Sequence, residues 1–548
     1  MMAPSGCPCA AAAASCARAC AAPPVELTLD AAARGTPFPH VWKRSFGSGH
    51  ASLTLRDDWR SHAALAAHEL GLEAVRYHGL FDDDMAVVRA PGTYDFSRLA
   101  SSWDFLRSVG VRPLVELSFM PAFLANCSWH GHCKPNPVGC EGYWCTQCDG
   151  HGVGPVVNPT APPCVSLAFH YQGIKQLPPR RDFTAWFELV FATVTYAVGR
   201  YGLEEVQRWP FEVWNELWGT PFPDDYMLLY NASAAAVKAV SASLRVGGPA
   251  TAVLSHVSDF TQECKRRGVP YDFVSTHHYP TDGGSQFASK CPSGDAWDPD
   301  CFSTQVLSAR QSVDGDPFFL TEYNVGCCLG YALHDTPAAA AFIFRAVGAL
   351  NDHLDLYSYW TFSDVFEEGG LPRVEFKNVY GMMTIGGIRK PAWRAFQLLH
   401  THAGDVRLPL SVSNQTAAAP RAKAQVAAFA TRRSSTAALR VFLSNWGNPD
   451  APANATAARA VRLTLLHAAG DAPTRASVEV ISRSTTDPRA AWEAMGAPDV
   501  PDASQRAALA RASAVGVGVV EVQPINLTAS LIEVLLEENS AAVLILDS

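Results

Sequence analysis

The chain carries little charge and nowhere concentrates it. Only 17% of its 548 residues are Asp, Glu, Lys or Arg, with 43 basic against 52 acidic side chains and a net charge of −9. Basic runs are missing, which excludes the electrostatic grip that nucleic acids and anionic membranes call for. No uninterrupted apolar stretch reaches the ~18 residues of a membrane-spanning helix, so membrane insertion is not expected. A Gly-rich phosphate loop of the GxGxxG kind is also lacking after the early strands, which sets a doubly wound nucleotide-binding sheet behind other architectures. What the chain does have is core material: 48% hydrophobic and 10% aromatic residues, including 14 Trp, 15 Tyr and 27 Phe. That excludes a largely disordered chain, and the length implies two or three domains, one of them large. Aromatic faces are also what sugar rings stack on, although most aromatics serve as core.

The 15 cysteines are unevenly placed. Four of them, Cys7, Cys9, Cys16 and Cys20, fall in an Ala-rich leader over residues 1–24. Its Ala-Cys-Ala-Ala end resembles a signal-peptide cleavage site, though no basic segment precedes it. A second group (Cys127, Cys133, Cys140, Cys145, Cys148, Cys164) crowds residues 126–166, a stretch rich in Gly, Pro and His. It reads as an inserted loop ordered by disulfide staples. A zinc knuckle on Cys145 and Cys148 with His130, His132 and His151 is the rival, but one CxxC without a second at zinc-finger spacing is weak, and no metal is expected. Five N-glycosylation sequons, at Asn126, Asn231, Asn414, Asn454 and Asn526, favour a glycoprotein of the secretory route, secreted or luminal.

From about Val41 to Thr361, short apolar runs alternate with longer amphipathic segments. The runs are Val41–Phe46, Ala74–Tyr77, Arg112–Ser118, Phe211–Asn215, Arg245–Gly248, Phe273–Thr276, Phe318–Glu322 and Leu356–Thr361. Helical patterns lie between them, such as Asp57–Leu70, ended by Gly71, and Phe183–Arg200. Eight strands, each followed by a helix-sized segment, predict a (β/α)₈ TIM barrel over residues 25–400. After His400 the texture changes to alternating runs in Ala-, Ser- and Thr-rich surroundings: Leu439–Leu443, Val461–Leu466, Val478–Ile481, Val515–Val522 and Leu531–Leu546. This predicts a β-sandwich over 401–548, to which Val25–Leu29 can add a strand.

Barrel enzymes place their catalytic groups at the C-terminal ends of the strands. The fourth run, Phe211-Glu-Val-Trp-Asn-Glu216, and the seventh, Phe318-Phe-Leu-Thr-Glu322, each end in an acid. Strands four and seven lie across the mouth from one another, so Glu216 and Glu322 can face each other over a bound substrate. Two facing carboxyls are what glycoside cleavage needs: one protonated to serve the leaving oxygen, the other ionised at the anomeric carbon. A gap of about 5–5.5 Å means direct attack and retention, and about 6.5–9.5 Å admits water and means inversion. Each acid taken singly is equally well a strand-end ion-pair partner.

Trp214-Asn215-Glu216 after Phe-Glu-Val resembles the acid/base signature of retaining barrel glycosidases, and the wider chain resembles glycoside hydrolase family 39, the β-xylosidases and α-L-iduronidases. Phe46-Gly-Ser-Gly-His50, Val75-Arg-Tyr-His78, Leu114-Val-Glu-Leu-Ser-Phe-Met-Pro121 and Asp272-Phe-Val-Ser-Thr-His277-His-Tyr279 are similar to family motifs. So are Tyr357-Ser-Tyr-Trp360-Thr-Phe-Ser-Asp-Val-Phe-Glu-Glu368 and Gly386-Gly-Ile-Arg-Lys-Pro391. The resemblance implies an O-glycosyl hydrolase that needs no cofactor and takes an oligosaccharide or glycoside. Glu216 would be its acid/base and Glu322 its nucleophile. Asn215 would hold the sugar 2-hydroxyl, Tyr279 would orient the nucleophile, and His277 would line the site, although sequence does not separate it from His278. By the same resemblance His78 would reach a hydroxyl, Trp360 would form the stacking floor, and Glu367 or Glu368 would take distal hydroxyls.

Departures bear on substrate more than on mechanism. Leu217-Trp218-Gly219 replaces the family's Pro-Asn, and vicinal Cys327 and Cys328 follow the seventh strand with no family role. The acids after Trp360 would repel a uronate, whereas an iduronidase should offer Arg or Lys near the sugar carboxylate, where only Arg373 and Lys377 stand in the vicinity. The expectation is therefore a retaining, exo-acting β-xylosidase-like enzyme of carbohydrate catabolism. The alternatives are an α-L-iduronidase-like glycosidase and a catalytically silent carbohydrate-binding barrel.

Overall fold

The computed structural model describes residues 23–121, 124, 182–217, 220–283, 285–291, 298–368, 370–413, 426–447 and 458–547. The leader through residue 22 and the Cys-rich stretch 126–166 lie outside them, as do Trp218 and Gly219.

Eight strands close into a parallel barrel: Ser45–His50, Ala74–His78, Arg112–Leu117, Pro210–Val213, Arg245–Thr251, Phe273–His277, Phe318–Tyr323 and Leu356–Tyr359. Each is followed by a helix, from Asp57–Leu70 after the first to Pro391–His402 after the eighth. Gly71 ends the first of these helices in the left-handed conformation, φ 67°, as a helix-terminating glycine does. The expected strand positions hold, with shifted ends. Val41–Lys43 is a 3₁₀ turn and the first strand begins at Ser45. The fourth strand stops at Val213 and not at Asn215. Among the described residues no helix is long and apolar enough to cross a membrane.

The barrel interior is layered. Leu114, Phe273, Phe319 and Leu356 plug its lower end. Above them lies a fully buried charged layer of Arg76, Glu116 and Glu212. Tryptophans 42, 59, 103, 186, 209 and 393 are also fully buried and pack with the helical shell, so most of the aromatic wealth of the sequence is core.

Apart from a small hairpin of Val88–Ala90 and Thr93–Tyr94, the remaining strands among the described residues form two facing sheets. The five-stranded sheet runs Leu410–Ser413, Val25–Asp30, Arg459–Leu466, Ala529–Leu536, Val522–Asn526. The seven-stranded sheet is built on Ser540–Asp547 and Leu439–Asn445, and Thr36–Pro37 is its last strand. Val25, Leu27, Leu29, Leu463 and Ile532 of one sheet share a core with Val441, Leu443 and Leu544 of the other. As expected, Val25–Leu29 adds a strand to the sandwich: Val25–Asp30 pairs with Val461–Leu466, and Thr36–Pro37 pairs with Val406–Arg407, so the barrel proper begins after residue 37. One expectation is corrected. The runs Val515–Val522 and Leu531–Leu546 each break into two strands that join different sheets. Helices Pro488–Ala494 and Ala503–Ala512 intervene before the first of these. Ser540–Asp547 reads as an unbroken apolar run because both its faces are covered: Leu544 faces the sandwich core, and Val543 and Ile545 face the barrel's helices.

Candidate active site

The charged layer prepares the mouth above it. Arg76, in the second strand, interrupts an apolar run and has nowhere to point but inward. Its Nε donates to Glu212 Oε2 at 2.5 Å, Nη1 to Glu322 Oε1 at 2.8 Å, and Nη2 to Asn215 Oδ1 at 2.9 Å. Nη2 also lies 2.8 Å from Glu116 Oε2. One guanidinium thus meets carboxylates from the third, fourth and seventh strands, which its planar fork can do and an ammonium cannot. Glu212 further accepts from Thr321 at 2.8 Å. Burial pushes the Glu116 carboxyl above the usual range in spite of Arg76.

The end of the fourth strand decides what enters the mouth. Strict alternation would place Asn215 opposite Glu216. Instead Trp214 has φ 74° and Glu216 φ 42°, and these two left-handed residues break the period. Trp214 swings out to pack edge-on against Phe119 at 5.4 Å and Trp186 at 6.1 Å. Asn215 and Glu216 both turn to the site, with the Glu216 N–H held by Ala250 O at 2.8 Å. Because Arg76 only donates, the Asn215 amide oxygen must face it and the NH₂ is directed the other way.

Glu322 is set by its neighbours. Tyr279 donates its hydroxyl to Oε2 at 2.8 Å, and burial together with Glu322 holds that phenol well above its ordinary value, so it stays a donor. His277 Nδ1 lies 3.1 Å from Glu216 Oε1 and 3.5 Å from Glu322 Oε2. Burial works to lower its imidazole, but Glu322 and the bond to Glu216 prevail and hold it above the ordinary value. His278 points away, stacked on Phe302 at 5.4 Å, so His277 is the member of the pair that faces the mouth. One ligand atom from each of Glu216, His277 and Glu322 lies within 4.8 Å of the other two. The two acids therefore face each other, with 12% and 7% of their side chains open to solvent.

The other expected residues gather around them. His78 Nδ1 lies 2.8 Å from Glu116 and Nε2 3.6 Å from Glu322; burial, with Arg76 and His50 adding to it, keeps that imidazole neutral, well below its usual value. The Trp360 ring lies 4.7 Å from the His78 ring. A Cβ on Gly47 would run into the Trp360 indole, and one on Gly49 into the Glu367 carboxyl, which accounts for the Gly-Ser-Gly of the first strand. Glu367 is fully buried and bonded to the His50 ring and, at 3.1 Å, to the His50 N–H. Glu368 is partly exposed, and burial followed by Glu367 drives its carboxyl well above the usual range. Arg373 and Lys377 are exposed.

Sequence reading missed Arg76, Glu116, Glu212 and His50. The signal was present: a lone charge inside each of three otherwise apolar strands has to find its partners within the barrel. His50 carries a stability prediction. Burial would lower its imidazole, but Glu367 and then Asp82 raise it to about 9 from 6.5. Its contribution is therefore complete below about pH 6.5 and is lost as pH rises through about 9, ~3 kcal/mol in all. Wild type should lose urea resistance across that window by more than His50→Gln does; equal losses would contradict a charged His50.

Comparison with known proteins places this geometry. The family model for glycosyl hydrolases family 39 matches residues 25–135 and 164–523, and the break falls inside the Cys-rich stretch. A β-xylosidase of Caldicellulosiruptor saccharolyticus is 32% identical over 399 residues, covering 70% of this chain and 72% of its own. Among solved structures, the GH39 enzyme of Xanthomonas axonopodis pv. citri is similar with a TM-score of 0.74 and 26% identity over 96% of this chain and 98% of its own. A monomeric β-xylosidase of Caulobacter crescentus follows at 0.73 and 25%, over 95% and 99%. With the match running through barrel and sandwich alike, the chain belongs to glycosyl hydrolases family 39 and is a glycosidase acting on O-glycosyl compounds.

Proposed function

We propose that the protein is a retaining, exo-acting β-xylosidase-like glycosidase working by double displacement. The observation that carries this is that Glu216 and Glu322 face each other across the mouth with one oxygen of each within 4.8 Å. That closeness suits direct attack on the anomeric carbon and falls below the roughly 6.5–9.5 Å that an inverting pair keeps. Glu322, held by Arg76 and Tyr279, attacks and forms the glycosyl-enzyme. Glu216 gives its proton to the leaving oxygen and then draws a proton from the incoming water. His277, bonded to Glu216, lines the leaving-group side. The Asn215 NH₂ takes the sugar 2-hydroxyl, a contact that strengthens as the oxocarbenium character develops. Trp360 floors the sugar, and His78 meets one of its hydroxyls. Glu367, whose Oε2 lacks a partner among the described residues, and Glu368 accept from the distal hydroxyls.

A neutral pentose is favoured over a uronate because the distal wall is acidic and both nearby basic residues, Arg373 and Lys377, face solvent. The relationship to β-xylosidases supports the same choice. A secretory destination is part of the proposal, supported by exposed sequons at Asn231 and Asn526. The test is a panel of nitrophenyl xyloside, glucoside, arabinoside and iduronide, with the anomer of the first product followed by NMR. The β-xyloside should react fastest with β-xylose formed first. Glu216→Ala should lose about 10²–10⁴-fold on poor leaving groups and much less on activated aryl xylosides. First-formed α-xylose would overturn retention, and iduronide preference would overturn the sugar.

A further inference from the structure

The loop after the seventh strand contains a feature that the mechanism does not use. Cys327 and Cys328 are adjacent in sequence and their sulfurs lie within bonding distance, as do those of Cys291 and Cys301. Cys327 and Leu329 are half-buried and pack on a cluster made of Tyr279, Trp360, Phe366, Val379 and Tyr380. Both backbone groups of Cys327 are engaged by neighbouring loops. Its N–H donates to Thr281 Oγ1 at 2.9 Å, and its carbonyl accepts from the Tyr380 hydroxyl at 3.1 Å.

Thr281 belongs to a tight turn. The Tyr279 N–H donates to Asp282 Oδ2 at 2.8 Å, and the Asp282 N–H to Tyr279 O at 3.0 Å. The residue that receives Cys327 thus lies in the same turn as the tyrosine bound to Glu322. On the other side, Gly330 N–H reaches Asn378 O at 3.1 Å, tying the loop to the segment that carries Tyr380. A disulfide between neighbouring residues closes a small ring through the peptide between them. It fixes the direction of the Cys327 carbonyl that accepts from Tyr380, which packs in one cluster with Tyr279, while the Cys327 N–H leaves the same Cα toward Thr281.

We infer that Cys327 and Cys328 form a disulfide clip that positions Tyr279 against Glu322 and so sets the rate of the glycosyl-enzyme step. The inference rests on Glu322 being the nucleophile. Opening the clip is a thiol–disulfide exchange. A dithiol gives two electrons and two protons, its sulfurs become a disulfide, and Cys327 and Cys328 become thiols. The freed peptide can then turn, the Cys327 carbonyl leaves the Tyr380 hydroxyl, the cluster that Tyr380 shares with Tyr279 loosens, and Tyr279 no longer holds the carboxylate in line.

The test uses the full chain before and after dithiothreitol, with a 2-fluoro xyloside that traps the glycosyl-enzyme. Mass spectrometry reports both labelled Glu322 and alkylated Cys327 and Cys328. Opening the clip should slow labelling about ten-fold, the effect of losing one hydrogen bond to a charged group, and leave the final labelled fraction unchanged. A merely structural role would reduce the fraction and not the rate. Cys291→Ser/Cys301→Ser should keep the response to reductant, whereas Cys327→Ser/Cys328→Ser should be slow from the start and insensitive. If that last variant does not fold, the fall in rate must track alkylation of the two cysteines as thiol is titrated. Alkylation without reductant, an unchanged rate after reduction, or a response that survives in the double variant each overturns the clip. Absence of Glu322 labelling in untreated enzyme overturns instead the nucleophile on which it rests.

Discussion

Glu322→Gln should lower kcat on every glycoside by on the order of 10⁵-fold, activated aryl glycosides included, because a neutral amide cannot make the attack on the anomeric carbon that both good and poor leaving groups require. The substitution keeps size: the amide oxygen can accept from Arg76 and the NH₂ can donate to the Tyr279 hydroxyl oxygen, groups that lie 2.8 Å from the two carboxylate oxygens of Glu322. Folding and sugar binding should therefore survive, visible as a cooperative melt near that of wild type and retained product inhibition. Azide should not restore turnover with retention, since the small anion would attack from the face that Glu322 vacates and invert the product. Normal turnover by this variant would dismiss the nucleophile assignment.

The second large effect is at Arg76. Arg76→Met removes the one guanidinium that contacts Glu116, Glu212, Glu322 and Asn215. Carboxylates are then left buried beside one another without a counter-charge. Breaking such a buried arrangement costs about 3–5 kcal/mol, and activity should fall with it because Asn215 and Glu322 lose a common anchor. Arg76→Lys should recover only part of either quantity, since one ammonium cannot span four acceptors in fork geometry. Adding Glu212→Gln to Arg76→Met should recover stability, as one stranded charge disappears, without recovering kcat. Urea denaturation and kcat/KM measured on the same preparations separate the two effects; strictly additive stabilities would mean that Arg76 and Glu212 are not coupled.

These two residues mark the boundary of what could be read in advance. Glu322 was legible because an acid ending an apolar strand has a meaning in a barrel, and the same held for Glu216. Arg76 carries no such local signal, since its partners come from the third, fourth and seventh strands and no local pattern joins them. His277 and His278 looked alike for the opposite reason. Alternation sends one inward and one outward, but which is which depends on a register shift beside Thr276 and His277 in the sixth strand. The sandwich shows the limit again: its strands were visible as alternating runs, but Val522–Asn526 and Gly516–Val520 went to different sheets across a single residue.

The order and kind of the elements were determined by the sequence alone. Apolar period and helix-ending glycines act over a few residues and carry their message locally, and the strand-end acids announced the chemistry. Which atoms meet was decided only by closure of the barrel. Burial of Arg76 among acids, and the left-handed turn at Trp214 that brings Asn215 and Glu216 to one pocket, exist only once distant strands lie side by side. The physical reason is that buried charges are held by whichever partners the fold brings within hydrogen-bond reach, and separation along the chain says nothing about that distance.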